Sequence, residues 1–169
     1  MPVTLEDLAR DLHRELAANS IDNCHAATCA LIREALLDDA FVAEHLPDRL
    51  DGQHPREVLY EDPDLGFCIC GHVYGDAAES GPHDHGPSWA IYGQAEGTTE
   101  MTDWRITLPG TPDSASQVEP ERTYTLVRGD AHFYRVGAVH SPKRFGPTRL
   151  VRVEGANLDT VQRSRIVAA

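Results

Sequence analysis

The stretch Gly81-Pro82-His83-Asp84-His85-Gly86 places two histidines one residue apart, between glycines and a proline. In an extended strand, residues i and i+2 point to the same face, so the two imidazoles converge on one point. Two converging neutral imidazoles provide half of a transition-metal site. The spacing therefore predicts a metal site whose third ligand arrives from a distant strand.

A second stretch, running from Gly129 to His140, supplies the candidate third ligand. It begins with a turn, continues through a short strand and ends at a histidine that follows a second glycine. His132 lies in the same stretch, but its spacing fits this glycine-framed pattern less well. The predicted metal ligands are therefore His83, His85 and His140. A polar loop with a chance pair of histidines is the alternative.

Together the two stretches resemble the two sequence motifs of the cupin superfamily, small double-stranded β-barrels that hold one metal. The first motif is the His-x-His pair followed by Gly97, and the second is Gly129-x7-Gly137-x2-His140. The resemblance covers roughly residues 55 to 155. It implies a mainly β fold, a cupin-type double-stranded β-helix (jelly roll) with an N-terminal helical segment.

The first cupin motif normally carries a glutamate ligand four or five residues after its second histidine, where this chain has Trp89 and Ala90. A three-histidine site without that glutamate is similar to the thiol dioxygenase branch, which includes cysteine dioxygenase. The branch implies Fe(II) as the cofactor, with O₂ and a small, carboxylate-bearing substrate as partners. Zn, Ni and Mn are the alternative metals, since histidine ligands also suit them.

One strand departs from this resemblance. Thiol dioxygenases carry a Ser-x-His-x-Tyr triad on the strand after the third ligand, where this chain has Leu150, Arg152 and Glu154. A charged pair on an inward face is costly unless it is paired or used. Arg152 and Glu154 are therefore the candidate catalytic residues, as an anion anchor and a general base. The alternative is that Val151 and Val153 face the core while the charged pair faces water.

Three upstream residues are predicted to bind the substrate. Arg56 matches the position at which cysteine dioxygenase holds a carboxylate, and a guanidinium suits bidentate capture of that group. By the same resemblance, His72 and Tyr74 alternate on the face that lines the pocket. A surface arginine and a buried, hydrogen-bonded histidine are the alternatives. We expect Arg56 or Arg152 to anchor an anionic group, because an acidic protein needs local positive charge there.

Composition restricts the class of protein. A chain of 169 residues, 41% of them hydrophobic, is large enough for one domain with its own core. The formal charge of −12 disfavours nucleic acid and anionic membranes as partners. The N-terminus lacks the features of a signal peptide and no apolar stretch is long enough to span a bilayer, so we expect a cytoplasmic protein. A homodimer is one alternative for its assembly.

The four cysteines, at positions 24, 29, 68 and 70, do not indicate a disulfide framework in a chain of this kind. A zinc site would need a second pair of soft ligands at a recognisable spacing, and the sequence has none. Buried structural thiols are the predicted role.

The sequence pattern changes near residue 50, from helical periodicity to short strand-like segments. Residues 1–50 are predicted to form a helical segment that packs on a barrel of residues 51–169, the two making one domain overall. Thr4 and Asp22 are the candidate N-caps of the first two helices, and a third helix ends at Pro47. The segment 109–120 is predicted to be a polar surface loop. The predicted strands are 56–61, 66–74, 88–94, 98–108, 122–127, 131–136 and 148–154.

Three classes of function fit these observations. The leading hypothesis is a non-haem iron dioxygenase. A metal-dependent isomerase, lyase or hydrolase on the same scaffold is the second, and a small-molecule-binding cupin is the third. Because one fold hosts many chemistries, the choice depends on the site.

Overall fold

The computed structural model describes residues 2–48 and 55–169, in which three helices precede ten strands. The helices are α1 (Leu5–Ala18), α2 (Ile21–Leu37) and α3 (Asp39–His45). The strands are β1 (Arg56–Glu61), β2 (Cys68–Tyr74), β3 (Ala78–Glu79), β4 (Ala90–Glu96), β5 (Thr99–Leu108), β6 (Ser116–Leu126), β7 (Ala131–Tyr134), β8 (Val139–Arg144), β9 (Thr148–Glu154) and β10 (Ile166–Ala168). The expected boundary between helices and barrel, at residue 50, lies outside the described residues.

Polar side chains begin two of the helices. The Thr4 hydroxyl accepts a hydrogen bond from the Asp7 backbone N–H at 3.1 Å, so this predicted N-cap is confirmed. The second predicted cap is wrong, because Ser20 is the N-cap of α2 and Asp22 lies inside its first turn. Asp38 caps α3. In the part of the chain that the structure describes, no helix combines the length and apolar character needed to cross a membrane.

Two five-stranded sheets form the β part of the molecule. The first sheet has the strand order β1-β2-β9-β4-β7, and the second has the order β10-β6-β5-β8-β3. Strand β10 pairs in parallel with β6, and the other neighbouring strands among the described residues are antiparallel. The predicted double-stranded β-helix with N-terminal helices is therefore confirmed.

The sequence does not indicate β3, β8 or β10. Strands β3 and β10 are too short to show alternation, and Pro142 interrupts the pattern of β8. The predicted loop 109–120 is also too long, because β6 already begins at Ser116. Only two residues of β6, Val118 and Leu126, are buried, so its first half, before the predicted strand 122–127, lacks the apolar pattern that would reveal it.

The first sheet is buried on both faces. The side chains of Val151 and Val153 on β9 pack in one apolar core with Ile32 and Leu36 of α2. Leu150, on the opposite face of β9, packs in a second cluster between the sheets. Side chains that alternate with the two valines therefore point away from the helices and into the barrel.

The four cysteines are free. Cys24, Cys68 and Cys70 are buried and Cys29 is half-buried. Burial raises the thiol pKa to about 11 for Cys29 and Cys68 and to about 12 for Cys70. Such thiols stay protonated at neutral pH and are poor nucleophiles, which fits a structural role.

Gly93 marks the closest approach of α2 to the first sheet. A Cβ atom at this position would lie 3.0 Å from Ile32 Cγ2, Leu36 Cδ1 and the Val151 carbonyl oxygen. We expect Gly93→Ala to lower the free energy of unfolding by about 1–3 kcal/mol, because the helix must move outward. Urea unfolding of Gly75→Ala is the control, since a Cβ there meets nothing within 4 Å. Equal stability of the two variants would contradict this packing.

Candidate metal centre

Three imidazoles meet at one end of the barrel interior. The ring nitrogens of His83, His85 and His140 that can bind a metal all lie within 4.8 Å of one another. The His140 ring centroid is 4.8 Å from each of the other two centroids. The structure therefore brings the three predicted ligands together.

A pair of backbone hydrogen bonds holds two of these histidines side by side. The His83 N–H donates to the His140 carbonyl, and the His140 N–H donates to the His83 carbonyl, both at 3.0 Å. This single bridge joins the His-x-His segment to β8. The segment is otherwise a loop rather than the extended strand that the spacing predicts. Its rings converge because the bridge fixes the loop against the strand that carries the third ligand.

The loop is also anchored from the C-terminal side. The Asp84 carboxylate accepts hydrogen bonds from the Gly86 N–H at 3.0 Å and from the Ser164 N–H at 3.1 Å. Gly86 has a φ of +59°, and a Cβ there would lie 2.5 Å from the Gln162 carbonyl oxygen. Glycine is therefore needed at this position, because it allows both the left-handed turn and the close approach of residues 162–164.

The protonation of the three rings suits metal binding. The Nδ1 atom of His83 lies 2.9 Å from the Gly81 carbonyl, which can only accept, so Nδ1 carries the proton and Nε2 is left as a ligand. Among the described residues, His85 Nε2 and both ring nitrogens of His140 are buried without a hydrogen-bond partner. Burial lowers the pKa of all three histidines. Neutral rings with unpaired buried nitrogens fit a divalent transition metal.

A cavity of about 530 Å³ opens beside His83. The predicted substrate-binding residues and Arg152 line it, together with two arginines that the sequence did not indicate. The charged and aromatic or imidazole residues of its wall are Arg56, His72, Tyr74, His83, Tyr92, Arg144, Arg152 and Arg163. The wall is therefore rich in guanidinium groups, although the chain as a whole is acidic.

Glu154 lies between two of these arginines. Its carboxylate accepts a hydrogen bond from Arg56 at 2.8 Å and from Arg152 at 2.7 Å, and its side chain is fully buried. The alternative in which Arg152 and Glu154 face water is therefore wrong. The predicted roles of general base and anion anchor stay predictions. The contacts give Glu154 a positioning role, because both of its oxygens already accept from guanidiniums.

Another part of the cavity wall combines aromatic rings with Arg144. The His72 Nδ1 atom lies 3.0 Å from the Tyr74 hydroxyl, and the Arg144 guanidinium lies 3.8 Å from the centre of the Tyr74 ring. The residue Arg144 is only 7% exposed. It lies four positions after His140 on β8, so alternation places both on the inward face. The sequence would have indicated Arg144 if β8 had been recognised as a strand.

No carboxylate replaces the missing cupin glutamate on β4. Ala90 is buried on this strand and lies opposite Glu154 in the pairing of β4 with β9. Trp89 packs against the core between the helices and the first sheet. His132 is not part of the cluster; its ring lies 4.7 Å from that of Tyr134, which in turn stacks on His140 at 4.1 Å. The three-histidine set is thus the one that the sequence predicts.

A second group of metal-binding residue types, His13, Asp62 and Asp64, has a structural explanation. Asp62 Oδ1 accepts hydrogen bonds from the Asp64 and Leu65 backbone N–H groups at 3.0 and 2.7 Å. Its Oδ2 atom lies 2.8 Å from His13 Nδ1. These contacts stabilise the turn after β1 and tie it to α1.

Comparison with known proteins supports the fold. No family model matches the sequence, and no curated protein matches it. A solved, uncharacterised protein with a double-stranded β-helix domain from Klebsiella pneumoniae is 17% identical, with a TM-score of 0.50 over 74% of this chain and 88% of that chain. At this identity the likeness shows the fold alone.

Two further solved structures are similar. A cupin superfamily protein from Desulfitobacterium hafniense is 10% identical, with a TM-score of 0.46 over 65% of this chain and 84% of that chain. KdgF from Halomonas sp. is 17% identical, with a TM-score of 0.47 over 68% of this chain and 93% of that chain. The match to the thiol dioxygenase branch stays a prediction.

The first prediction for this site concerns metal content. We expect the purified protein to bind about one divalent transition metal per chain, because three neutral imidazoles converge. His85→Ala and His140→Ala should each lose the metal while keeping the circular dichroism of the folded chain. Elemental analysis measures this, with His132→Ala as the control that keeps the metal. Full metal content in both ligand variants would show that the assignment is wrong.

The second prediction concerns Glu154. Among the described residues, removing its charge with Glu154→Gln leaves Arg152 without a counter-charge in the interior and Arg56 paired with the exposed Asp159, so we expect the free energy of unfolding to fall by about 3–5 kcal/mol. Asp159→Asn is the matched control, because it removes the other carboxylate bound to Arg56. The Asp159 side chain is 69% exposed. It should cost less than about 1 kcal/mol. A mild effect of both substitutions in urea unfolding would refute the positioning role.

Proposed function

We propose that this protein is a metal-dependent cupin enzyme, a non-haem iron dioxygenase that acts on a small, carboxylate-bearing molecule. One observation carries the proposal: three neutral imidazoles, two of them buried, converge beside an arginine-lined cavity of about 530 Å³, which His83 lines. A cavity of this size suits a small molecule, and guanidiniums suit carboxylates. Its proposed partners are a small anion and O₂, with neither nucleic acid nor a membrane.

The ligand set supports Fe(II) as the proposed metal. His83, His85 and His140 would hold it. Because all three ligands are neutral, the metal would keep its full 2+ charge, and several of its coordination positions would stay open. A bound Fe(II) would supply the chemistry by which O₂ and an organic substrate react. Zn, Ni and Mn are the alternatives, since the same three imidazoles can bind them.

The residues of the cavity wall would bind and orient the substrate. The guanidiniums supply fixed positive charge, and Glu154 holds Arg56 and Arg152 in place from behind. Burial raises the pKa of Tyr92 to about 12. Its hydroxyl therefore stays protonated at neutral pH and can donate a hydrogen bond to a bound anion. Tyr74 and His72 are hydrogen-bonded to each other and form one side of the cavity.

A second candidate function is a metal-dependent isomerase, lyase or hydrolase that consumes no oxygen. The observation that favours it is the strand β9, where Leu150, Arg152 and Glu154 stand in place of the triad of thiol dioxygenases. In that case the metal would polarise an oxygen atom of the substrate. Oxygen uptake separates this function from the dioxygenase.

We predict that free cysteine is a poor substrate of the iron-loaded protein. The triad positions hold Leu150, Arg152 and Glu154, so the tyrosine and histidine that the thiol dioxygenases use are absent there. The test is oxygen uptake by Fe(II)-loaded protein with cysteine, mercaptocarboxylates and simple carboxylates. We expect uptake with at least one carboxylate and little with cysteine. His85→Ala is the control without activity.

Two outcomes would contradict these expectations. Rapid, iron-dependent conversion of cysteine to its sulfinate would show that the triad is dispensable. Conversion of a carboxylate by the metal-loaded protein without oxygen uptake would replace the dioxygenase with the second candidate function.

A further inference from the structure

We infer that Arg144 is the residue that binds the substrate's anionic end, and that the substrate carries two negatively charged groups, as a small dicarboxylate does. The inference rests on the proposed function in one respect, because it takes the cavity beside His83 as the substrate site. It replaces Arg56 and Arg152 as the anchor with a different residue.

The charges of Arg56 and Arg152 are already offset within the protein. Arg56 donates to Glu154 at 2.8 Å and to Asp159 at 2.6 Å. Arg152 donates to Glu154 at 2.7 Å. Two guanidiniums and two carboxylates thus form one neutral network at this side of the cavity. An incoming carboxylate would compete with bonds that already exist, so this pair is poorly suited to be the principal anion site.

Arg144 has no such counter-charge. Within residues 2–48 and 55–169 it forms no ion pair, and its buried Nε atom has no hydrogen-bond partner. The residue is only 7% exposed, and its guanidinium carbon lies over the Tyr74 ring, 3.8 Å from the ring centre. A buried guanidinium without an anion is costly, and a bound carboxylate would remove that cost. The stacking on Tyr74 holds the group in place before the ligand arrives.

A second guanidinium without an ion pair reaches the cavity from the C-terminal segment. Arg163 lines the cavity and forms no ion pair with any residue that the structure describes. Its neighbour Ser164 donates its backbone N–H to Asp84, between the two histidines of the loop. Arg163 therefore lies on a segment that is hydrogen-bonded to the metal-binding loop. Arg144 lies on a different element, β8.

The sum of these charges points to a dianion. Arg144 and Arg163 contribute two positive charges without an ion pair among the described residues, a divalent metal on the three neutral histidines would add two more, and the buried Asp84, which attracts Arg163, offsets one. A monocarboxylate would offset one of these charges and a dicarboxylate two. A cavity of about 530 Å³ accepts a short diacid readily.

The experiment is calorimetric titration of the zinc-loaded protein with glutarate and with monomethyl glutarate, which has the same chain but one charge. Zinc keeps the metal's charge and prevents oxidation of the ligand. We expect glutarate to bind at least about tenfold more tightly than its monoester. Arg144→Leu should weaken glutarate by roughly thirtyfold or more, the loss that accompanies a missing partner in a buried charge pair.

Two further variants sharpen the test. Arg105→Leu is the matched control, because this arginine pairs with Glu119 at the surface and should leave glutarate binding unchanged. Arg144→Lys keeps the positive charge beside Tyr74, so it can be tested in place of the leucine variant if that variant does not fold. It should weaken glutarate by about tenfold, since an ammonium cannot make two parallel hydrogen bonds to a carboxylate.

The outcomes separate this inference from the proposed function. Glutarate binding within twofold of the parent in folded Arg144→Leu would overturn the inference, and so would equal affinity for the diacid and its monoester. Failure of the parent to bind either ligand would overturn it as well. Tight, Arg144-dependent glutarate binding without oxygen uptake by the iron-loaded protein would uphold the inference and refute the dioxygenase.

Discussion

The rest of the structure depends on the burial of the first sheet on both faces. Helix α2 covers one face with Ile32 and Leu36, which pack closely against Gly93 of β4. The other face lines the barrel interior, where a charged side chain is costly without a partner. Glu154 on β9 meets this demand by accepting hydrogen bonds from two guanidiniums. The polar interior of this protein is thus a consequence of how its helices pack.

Much of the fold and the core of the candidate site could be predicted from the sequence. The two histidines at i and i+2, the glycine-framed His140 and the short strands after residue 55 are local patterns, and they appear in the structure as a histidine cluster inside a jelly roll. The alternation of β9 indicated that Arg152 and Glu154 share a face. It could not decide which face, because the helices that bury Val151 and Val153 come from a distant part of the chain.

The rest of the site could not be predicted, for physical reasons that differ between residues. Arg144 was missed because Pro142 interrupts the strand pattern of β8, on which it lies. Arg163 lies in a segment without regular structure, whose place beside the cavity depends on a hydrogen bond to Asp84. The pairing of Arg56 with Glu154 joins residues that are 98 positions apart, a separation at which no local pattern applies.

The contact between Asp84 and Ser164 has a consequence for the timing of folding. It joins the metal-binding loop to a segment 80 positions later in the chain. The histidine loop can gain this backbone partner only after residues 162–164 have left the ribosome, and by then β9, at residues 148–154, is also available to the first sheet. Because a domain generally folds as a unit, we expect the barrel and the ordered ligand-binding loop to form together.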